Sequence, residues 1–205
     1  MTDLFLTLVA FAFLSAGTPG PNNVMLMASG MNYGFRRSLG HITGVALGFP
    51  LMIVAVGLGL SQLFAMLPWL EMALKYICAA YLIYLAYKIA TAQPKIAEGG
   101  ALEVSGNPLT FVQAAAFQWV NPKAWVMATT ALTVYALPLS STGNAFAVAA
   151  AFVFAGTFTA SSWTALGDRL RVFFSDPVRL RVFNAVAAIL LLATLIPVFW
   201  PGLLA

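Results

Sequence analysis

Charge is what this chain has least of. Of its 205 residues only 8% are Asp, Glu, Lys or Arg, against about 25% in a soluble globular domain, so no water-facing surface of ordinary kind can be assembled from it. One histidine and one cysteine leave no metal-ligand spacing and no disulfide framework, and nothing in the sequence implies a cofactor. Cys78, alone in an apolar stretch, reads as packing. Acidic residues number six, which leaves no paired carboxylates of the sort hydrolytic enzymes use. The net charge of +4 is spread over short connections and never gathers on one face, so nucleic acid is excluded as a partner.

What is abundant is apolar length. Hydrophobic residues make up 61% of the chain, in runs of about 20 that suit membrane-crossing helices, without the period-two alternation of a barrel. The expected fold class is therefore an all-α membrane protein in contact with lipid. Hydropathy, broken only at Pro, Gly and charge clusters, delimits six transmembrane helices at 4–31, 39–66, 69–91, 108–136, 143–166 and 181–200. Asp3 stands where a signal peptide would carry positive charge, so Leu4 to Ala16 is expected to be the start of a retained helix. Arg36, Arg37, Lys88, Lys95, Arg169, Arg171, Arg179 and Arg181 fall in connections on one side, and the positive-inside rule makes that side cytoplasmic. Both termini are then expected outside. Trp69 and Trp200 sit at the outer boundary and Trp163 near the inner one, as interfacial anchors.

The polar stretch Thr91 to Pro108, with Pro94, Gly99, Gly100, Ser105, Gly106 and Asn107, reads as a flexible linker. It divides one transmembrane domain into a first repeat at 1–91, a linker at 92–107 and a second repeat at 108–205. Three spans is an odd number, so the two groups enter the membrane in opposite senses and form inverted repeats. Small residues at four-residue spacing, Gly30 and Gly34, Gly40, Gly44 and Gly48, and Ala147, Ala151 and Ala155, mark close helix approaches.

The first and fourth helices are broken, by Thr18-Pro19-Gly20-Pro21-Asn22-Asn23 and by Asn121-Pro122-Lys123. Proline supplies no N–H and clashes with the preceding turn, while glycine tolerates what other residues resist. Asn22 or Asn23 is expected to cap a new half-helix running to about Tyr33. Asn121 and Pro122 form a cap and first-turn pair. Breaks in corresponding places of two inverted halves bring two helix N-termini toward the midplane, each carrying about half a positive charge. With Lys123 they favour an anion such as a substrate carboxylate. The expected substrate-binding set is Thr18, Gly20, Pro21, Asn22, Asn23, Asn121, Pro122 and Lys123, with opened carbonyls near Gly17 and Thr18 for an ammonium group. The bland alternatives are a kinked helix at the first break and a snorkelling lysine at the second.

Glu71 and Lys75 are spaced to pair on one helix face. Glu71 and Asp168 are the candidates for proton coupling, against a structural or interfacial role for each. His41, at the cytoplasmic mouth of the second helix, reads as an interfacial polar group. Gln113, Gln118, Trp119 and Trp125 flank the second break, where the rings wall either a cavity or a neighbouring helix. Thr18 is the one hydroxyl at the breaks, and no base lies close to it in sequence. An enzyme is therefore not expected, and a passive channel for small solutes is the main alternative to a transporter.

Further motifs occur in order along the chain: Gly34-Phe35-Arg36-Arg37-Ser38, Ala79-Ala80-Tyr81-Leu82-Ile83-Tyr84-Leu85-Ala86-Tyr87-Lys88, and Trp163 to Gly167. With the two breaks, they make the chain resemble the lysine exporter family in its broad sense, the LysE/RhtB amino acid exporters. The pairing of Thr18-Pro19-Gly20-Pro21-Asn22-Asn23 with Phe117-Gln118-Trp119-Val120-Asn121 is similar to its cysteine and O-acetylserine branch. The chain departs from the family pattern at Cys78-Ala79-Ala80 and at Asn184-Ala185-Val186-Ala187-Ala188, where glycines are usual. The resemblance implies a secondary transporter of the inner membrane that exports a small neutral amino acid or derivative, of cysteine, O-acetylserine, homoserine or threonine type, in exchange for protons. Homo-oligomerisation stays open.

Overall fold

The computed structural model describes residues 2–60, 66–92, 94–96, 102–104, 106–171, 173 and 176–200. Gly99, Gly100 and Ser105 of the expected linker lie outside the described residues. The first apolar stretch is two helices, α1 (Thr2–Gly17) and α2 (Pro21–Tyr33), bent by 58° across the break. The prolines withdraw donors that the last carbonyls of α1 would have used. Gly20 is the N-cap of α2, in extended backbone and with no side-chain cap, and Pro21 occupies the first turn. This corrects the expected cap: Asn22 and Asn23 lie inside α2. The Asn23 amide instead donates back to Ala16 O at 2.7 Å and Thr18 O at 2.8 Å, satisfying the end of α1.

Helix α2 stops at Gly34, whose φ of 80° is a left-handed conformation open to glycine and costly for other residues. A 3₁₀ turn (Arg36–Ser38) leads into α3 (Leu39–Ala55), which runs on through one π-helical turn (Val56–Leu60). Helix α4 (Pro68–Ala90) follows. Part of the expected flexible linker is then a hairpin, β1 (Pro94–Ile96) antiparallel to β2 (Leu102–Val104). The second half comprises α5 (Phe111–Val120), α6 (Pro122–Thr133), α7 (Ser141–Leu170), α8 (Pro177–Ala193) and the short α9 (Ile196–Phe199). Thr110 and Gln113 close a reciprocal capping box at the start of α5, so Gln113 belongs to that helix end and not to the break.

The protein is an α-helical membrane protein. Segments Arg36–Leu60, Met72–Ala90 and Ser141–Leu170 are each long and apolar enough to cross a bilayer, and α1 with α2 qualifies as a bent pair. Helices α5, α6 and α8, of 10, 12 and 17 residues, are individually shorter than a bilayer requires.

Helix α7 packs against α1, α2 and α3, while α3 also packs on α5, and α4 on α8. The small residues explain these approaches. A Cβ on Gly30 would run into Thr164 O, and one on Gly167 into Met27 O, so α2 and α7 cross backbone to backbone. Gly44 and Gly48 bring α3 onto α5 in the same way, where a Cβ would lie 2.5 Å from Phe111 O and 2.6 Å from the Ala115 Cα. Gly34 serves as a helix terminator instead. Leu8, Ala12, Phe49, Met52 and Phe152 anchor one buried cluster, and Leu26, Cys78, Leu82, Phe117 and Leu191 another; Cys78 is packing, as read. Asn184 is fully buried and exchanges two hydrogen bonds with Asn32, at 2.8 and 2.9 Å, tying α8 to α2.

Candidate functional site

The two breaks meet. Lys123, in the first turn of α6, sends its side chain over Gly20, where a Cβ would come within 2.9 Å of the lysine Cδ. Its ammonium donates to Thr18 O and Thr18 Oγ1, both at 2.8 Å. Glycine at 20 is thus a clearance as well as a chain opener. Asn121 caps α6 as expected, its side-chain oxygen accepting from the Lys123 N–H at 3.2 Å. A second link runs beside the first: Asn22 Nδ2 donates to Gln118 Oε1 at 2.8 Å, and Gln118 Nε2 donates to Asn22 Oδ1 at 3.1 Å. Gln118 is fully buried, and its amide also donates to Ala114 O.

Most of these groups line one pocket, partly open to the outside. Gly20, Asn22, Asn23, Gln118, Asn121 and Lys123 provide its polar wall, and Phe49, Phe152, Val45, Met127 and Ala160 its apolar one. The N-terminal turns of α2 and α6 both open onto it; α2 has no side-chain cap, whereas in α6 Pro122 has no N–H and that of Lys123 is held by Asn121. Thr18 and Pro19 lie at the exposed rim, with Pro21 buried behind. Pro122 is half-buried in the first turn of α6.

The carbonyls that the first break frees are not vacant. Ala16 O and Thr18 O accept from Asn23, Thr18 O accepts also from Lys123, and Gly17 O accepts from Trp163 Nε1 at 3.2 Å. The expectation that Gly17 and Thr18 offer open carbonyls is corrected accordingly. Trp163 is likewise no interfacial anchor: it reaches from α7 to the break. Its role, like that of Phe49, Phe152 and Thr159 in the wall, has no local signature, because it depends on which face α7 and α3 turn inward.

Other readings shift in the same way. Trp119 and Trp125 pack edge to face, 6.5 Å between centroids, with Trp125 Nε1 donating to Trp119 O, and both join the cluster around Phe152 and not the pocket wall. His41 is buried and bonded to Ser29, which corrects its reading as an interfacial group. Lys75 places its ammonium 4.7 Å from the centroid of the Phe199 ring. The side chain of Glu71, and with it the proposed pair, lies outside the described residues. Asp168 is half-buried near the end of α7, where its Oδ1 lies 3.3 Å from the point a Gly34 Cβ would occupy, remote from the two breaks. Among the described residues no cluster of three or more His, Cys, Asp or Glu could hold a metal ion.

Comparison with known proteins gives a consistent result. The chain is 31% identical over 203 residues to a cysteine/O-acetylserine efflux protein of Shigella flexneri, covering 98% of this chain and 100% of the relative. It is 31% identical over 192 residues to proteins of the same description from Escherichia coli strain K12 and Shigella sonnei, covering 93% of this chain and 94% of each relative. No solved structure matches. The model of the LysE type translocator family matches residues 12–194, nearly the whole chain, and its members are transporters, not enzymes. With its two broken helices and its full-length likeness to efflux proteins, this chain belongs to the LysE type translocator family.

Proposed function

We propose that the protein exports a small neutral amino acid or derivative of the cysteine/O-acetylserine type across the inner membrane, in exchange for protons, by alternating access around the pocket between the breaks. The observation that carries the recognition step is the contact of Lys123 with Thr18. A lysine at membrane depth is expensive and needs a partner, yet here its ammonium rests on a carbonyl and a hydroxyl, with no carboxylate bonded to it among the described residues. An amino-acid zwitterion supplies both missing pieces. Its carboxylate accepts from the Lys123 ammonium and lies toward the N-terminal ends of α2 and α6, where the helix dipole favours negative charge. Its ammonium takes the place Lys123 leaves at Thr18 O. Asn22, Asn23 and Asn121 supply polar contacts, and Gly20, Pro21 and Pro122 the chain geometry that exposes them.

The six-crossing, inverted-repeat architecture belongs to the same reading. Counted by span, the first packs on the fifth and the fourth on the second, through α2 against α7 and α5 against α3. Those contacts exchange under a twofold relation, while the second–fifth and third–sixth pairings map onto themselves. Repeat one is 1–91 and repeat two 108–205. Arg36, Arg37, Lys88, Arg169, Arg171, Arg179 and Arg181 then face the cytoplasm and both termini the periplasm.

The test is counterflow of labelled O-acetylserine and cysteine in proteoliposomes. Lys123→Met is expected to lower it by at least about tenfold, the loss of one charge-assisted contact of about 1.5–3 kcal/mol, while N-acetylated and carboxamide analogues fail to compete. Wild-type rates in the methionine variant, or competition by an analogue lacking the carboxylate, would refute the assignment.

A further inference from the structure

A second polar site lies along the seam between α2 and α3, on the side of the break toward Arg36 and Arg37. Ser29 Oγ and His41 Nδ1 are 2.8 Å apart, and the two residues are 6% and 1% exposed. His41 Nε2 is buried without a hydrogen-bond partner among the described residues. Both side chains line a cavity with Met25, Asn32, Tyr33 and Lys88. This cavity adjoins the central pocket: Val45, one turn beyond His41 on α3, and Asn22, one turn before Met25 on α2, line the latter. A buried polar atom left unpaired is costly and rare, and this one belongs to the only histidine of the chain.

We infer that His41 is the proton-binding site of the transport cycle, an inference that rests on the export reading above. In the tautomer whose Nδ1–H donates to the Ser29 hydroxyl, Nε2 keeps an unpaired lone pair, buried beside the cavity that His41 lines. Hydronium admitted there transfers a proton to Nε2, leaving water and an imidazolium; the reverse step, to water on the other side of the membrane, restores the neutral ring. Histidine suits this exchange because its ordinary titration spans physiological pH. The titratable and charged groups that line this cavity beside it are Tyr33 from α2 and Lys88 from α4, and no carboxylate is among the lining residues. An imidazolium in the present arrangement would be a buried charge facing a second cation, so proton uptake requires the seam to open, which ties it to the conformational cycle. Asp168, expected to be a coupling group, lies against Gly34 and is not among the residues that line this cavity.

Two readouts on full-length protein, with any affinity tag removed, test the assignment. First, ring-¹⁵N histidine labelling in lipid nanodiscs reports one residue, and its shifts are expected to titrate between about pH 5 and 8 in the presence of O-acetylserine. Second, His41→Asn and His41→Gln proteoliposomes are expected to keep counterflow at equal pH within about twofold, yet lose at least about tenfold of the accumulation driven by an imposed pH gradient. A ring that never titrates overturns the inference without any variant having to fold. So does gradient-driven accumulation at wild-type level in either variant. Wild-type vesicles that show no counterflow overturn the export reading itself, and those that show counterflow but no response to the gradient overturn the coupling alone.

Discussion

The reciprocal amide pair between Asn22 and Gln118 permits a prediction in which the two halves of one interaction are unequal. Substitution of either residue by leucine, close in shape, removes their two mutual hydrogen bonds, at 2.8 and 3.1 Å, and Gln118→Leu removes in addition the bond to Ala114 O. What decides the cost is the group left behind. In Gln118→Leu the orphan is Asn22, half-buried on the pocket wall, where water can restore most of its bonding, so the net loss is about 0.5–1 kcal/mol, typical of interhelical bonds in membranes. In Asn22→Leu the orphan is Gln118, fully buried. It keeps its bond to Ala114 O, but Oε1 has nowhere to turn, and an unsatisfied buried acceptor costs about 1–3 kcal/mol. The double variant removes both polar groups and is expected to be no worse than Asn22→Leu alone, giving a favourable coupling of about 1 kcal/mol. Reversible unfolding in mixed micelles, followed by tryptophan fluorescence, measures all three. Additive losses, or a larger loss for Gln118→Leu, would refute the argument that burial of the survivor decides the cost.

Two further outcomes follow from the same geometry. Gly167→Ala places a methyl group against the Met27 carbonyl and 2.9 Å from Met31 N, backbone that cannot yield, so a loss of about 1–3 kcal/mol is expected; Gly156→Ala, whose methyl would find only ordinary contacts at 3.8 Å from Ala46 Cα, is the control and should stay within about 0.5 kcal/mol. Retention of a monodisperse peak after heating distinguishes them. Thr18→Val removes one of two acceptors for Lys123 and spares the carbonyl, so counterflow should show a change of a few-fold in half-saturation, not the loss expected for Lys123→Met.

How much of this was legible in the sequence follows from which signals are local. Proline and glycine act on their own backbone, so both breaks, the Asn121 cap and the start of α6 could be read from a few adjacent residues. The failure at Asn22 and Asn23 is instructive. The commonest helix-end role of asparagine is the cap, but Pro21 already fills the first turn of α2, and the side chain of Asn23 is drawn to the stronger demand, the carbonyls left open where α1 ends. Trp163, Phe152 and His41 depart from expectation for a different reason. In a helix surrounded by lipid and by other helices, hydrophobicity does not distinguish the lipid face from the protein face, so direction is set only by packing. The glycines carried part of that information: Gly30, Gly44 and Gly48 each marked a real approach, though none could name its partner.

The two breaks are not equivalent, and the difference bears on how a site can bind and release the same molecule. The second is self-contained: Asn121 caps α6 and the helix needs nothing from elsewhere. The first depends on three side-chain donors, Asn23 from the break itself and Lys123 and Trp163 from elsewhere, which between them hold Ala16 O, Gly17 O and Thr18 O. One of those donors is an ammonium group, the chemistry an amino acid would bring. On the proposed reading, a substrate that binds there exchanges one ammonium–carbonyl contact for another and adds a carboxylate–lysine contact, while the freed lysine no longer ties α6 to the end of α1. Because the gain is confined to the carboxylate, binding stays shallow enough to be reversed. Because the lost contact is one of the two side-chain links between the breaks, the proposed reading has a zwitterion loosen their junction, whereas a neutral solute of the same size leaves the lysine in place.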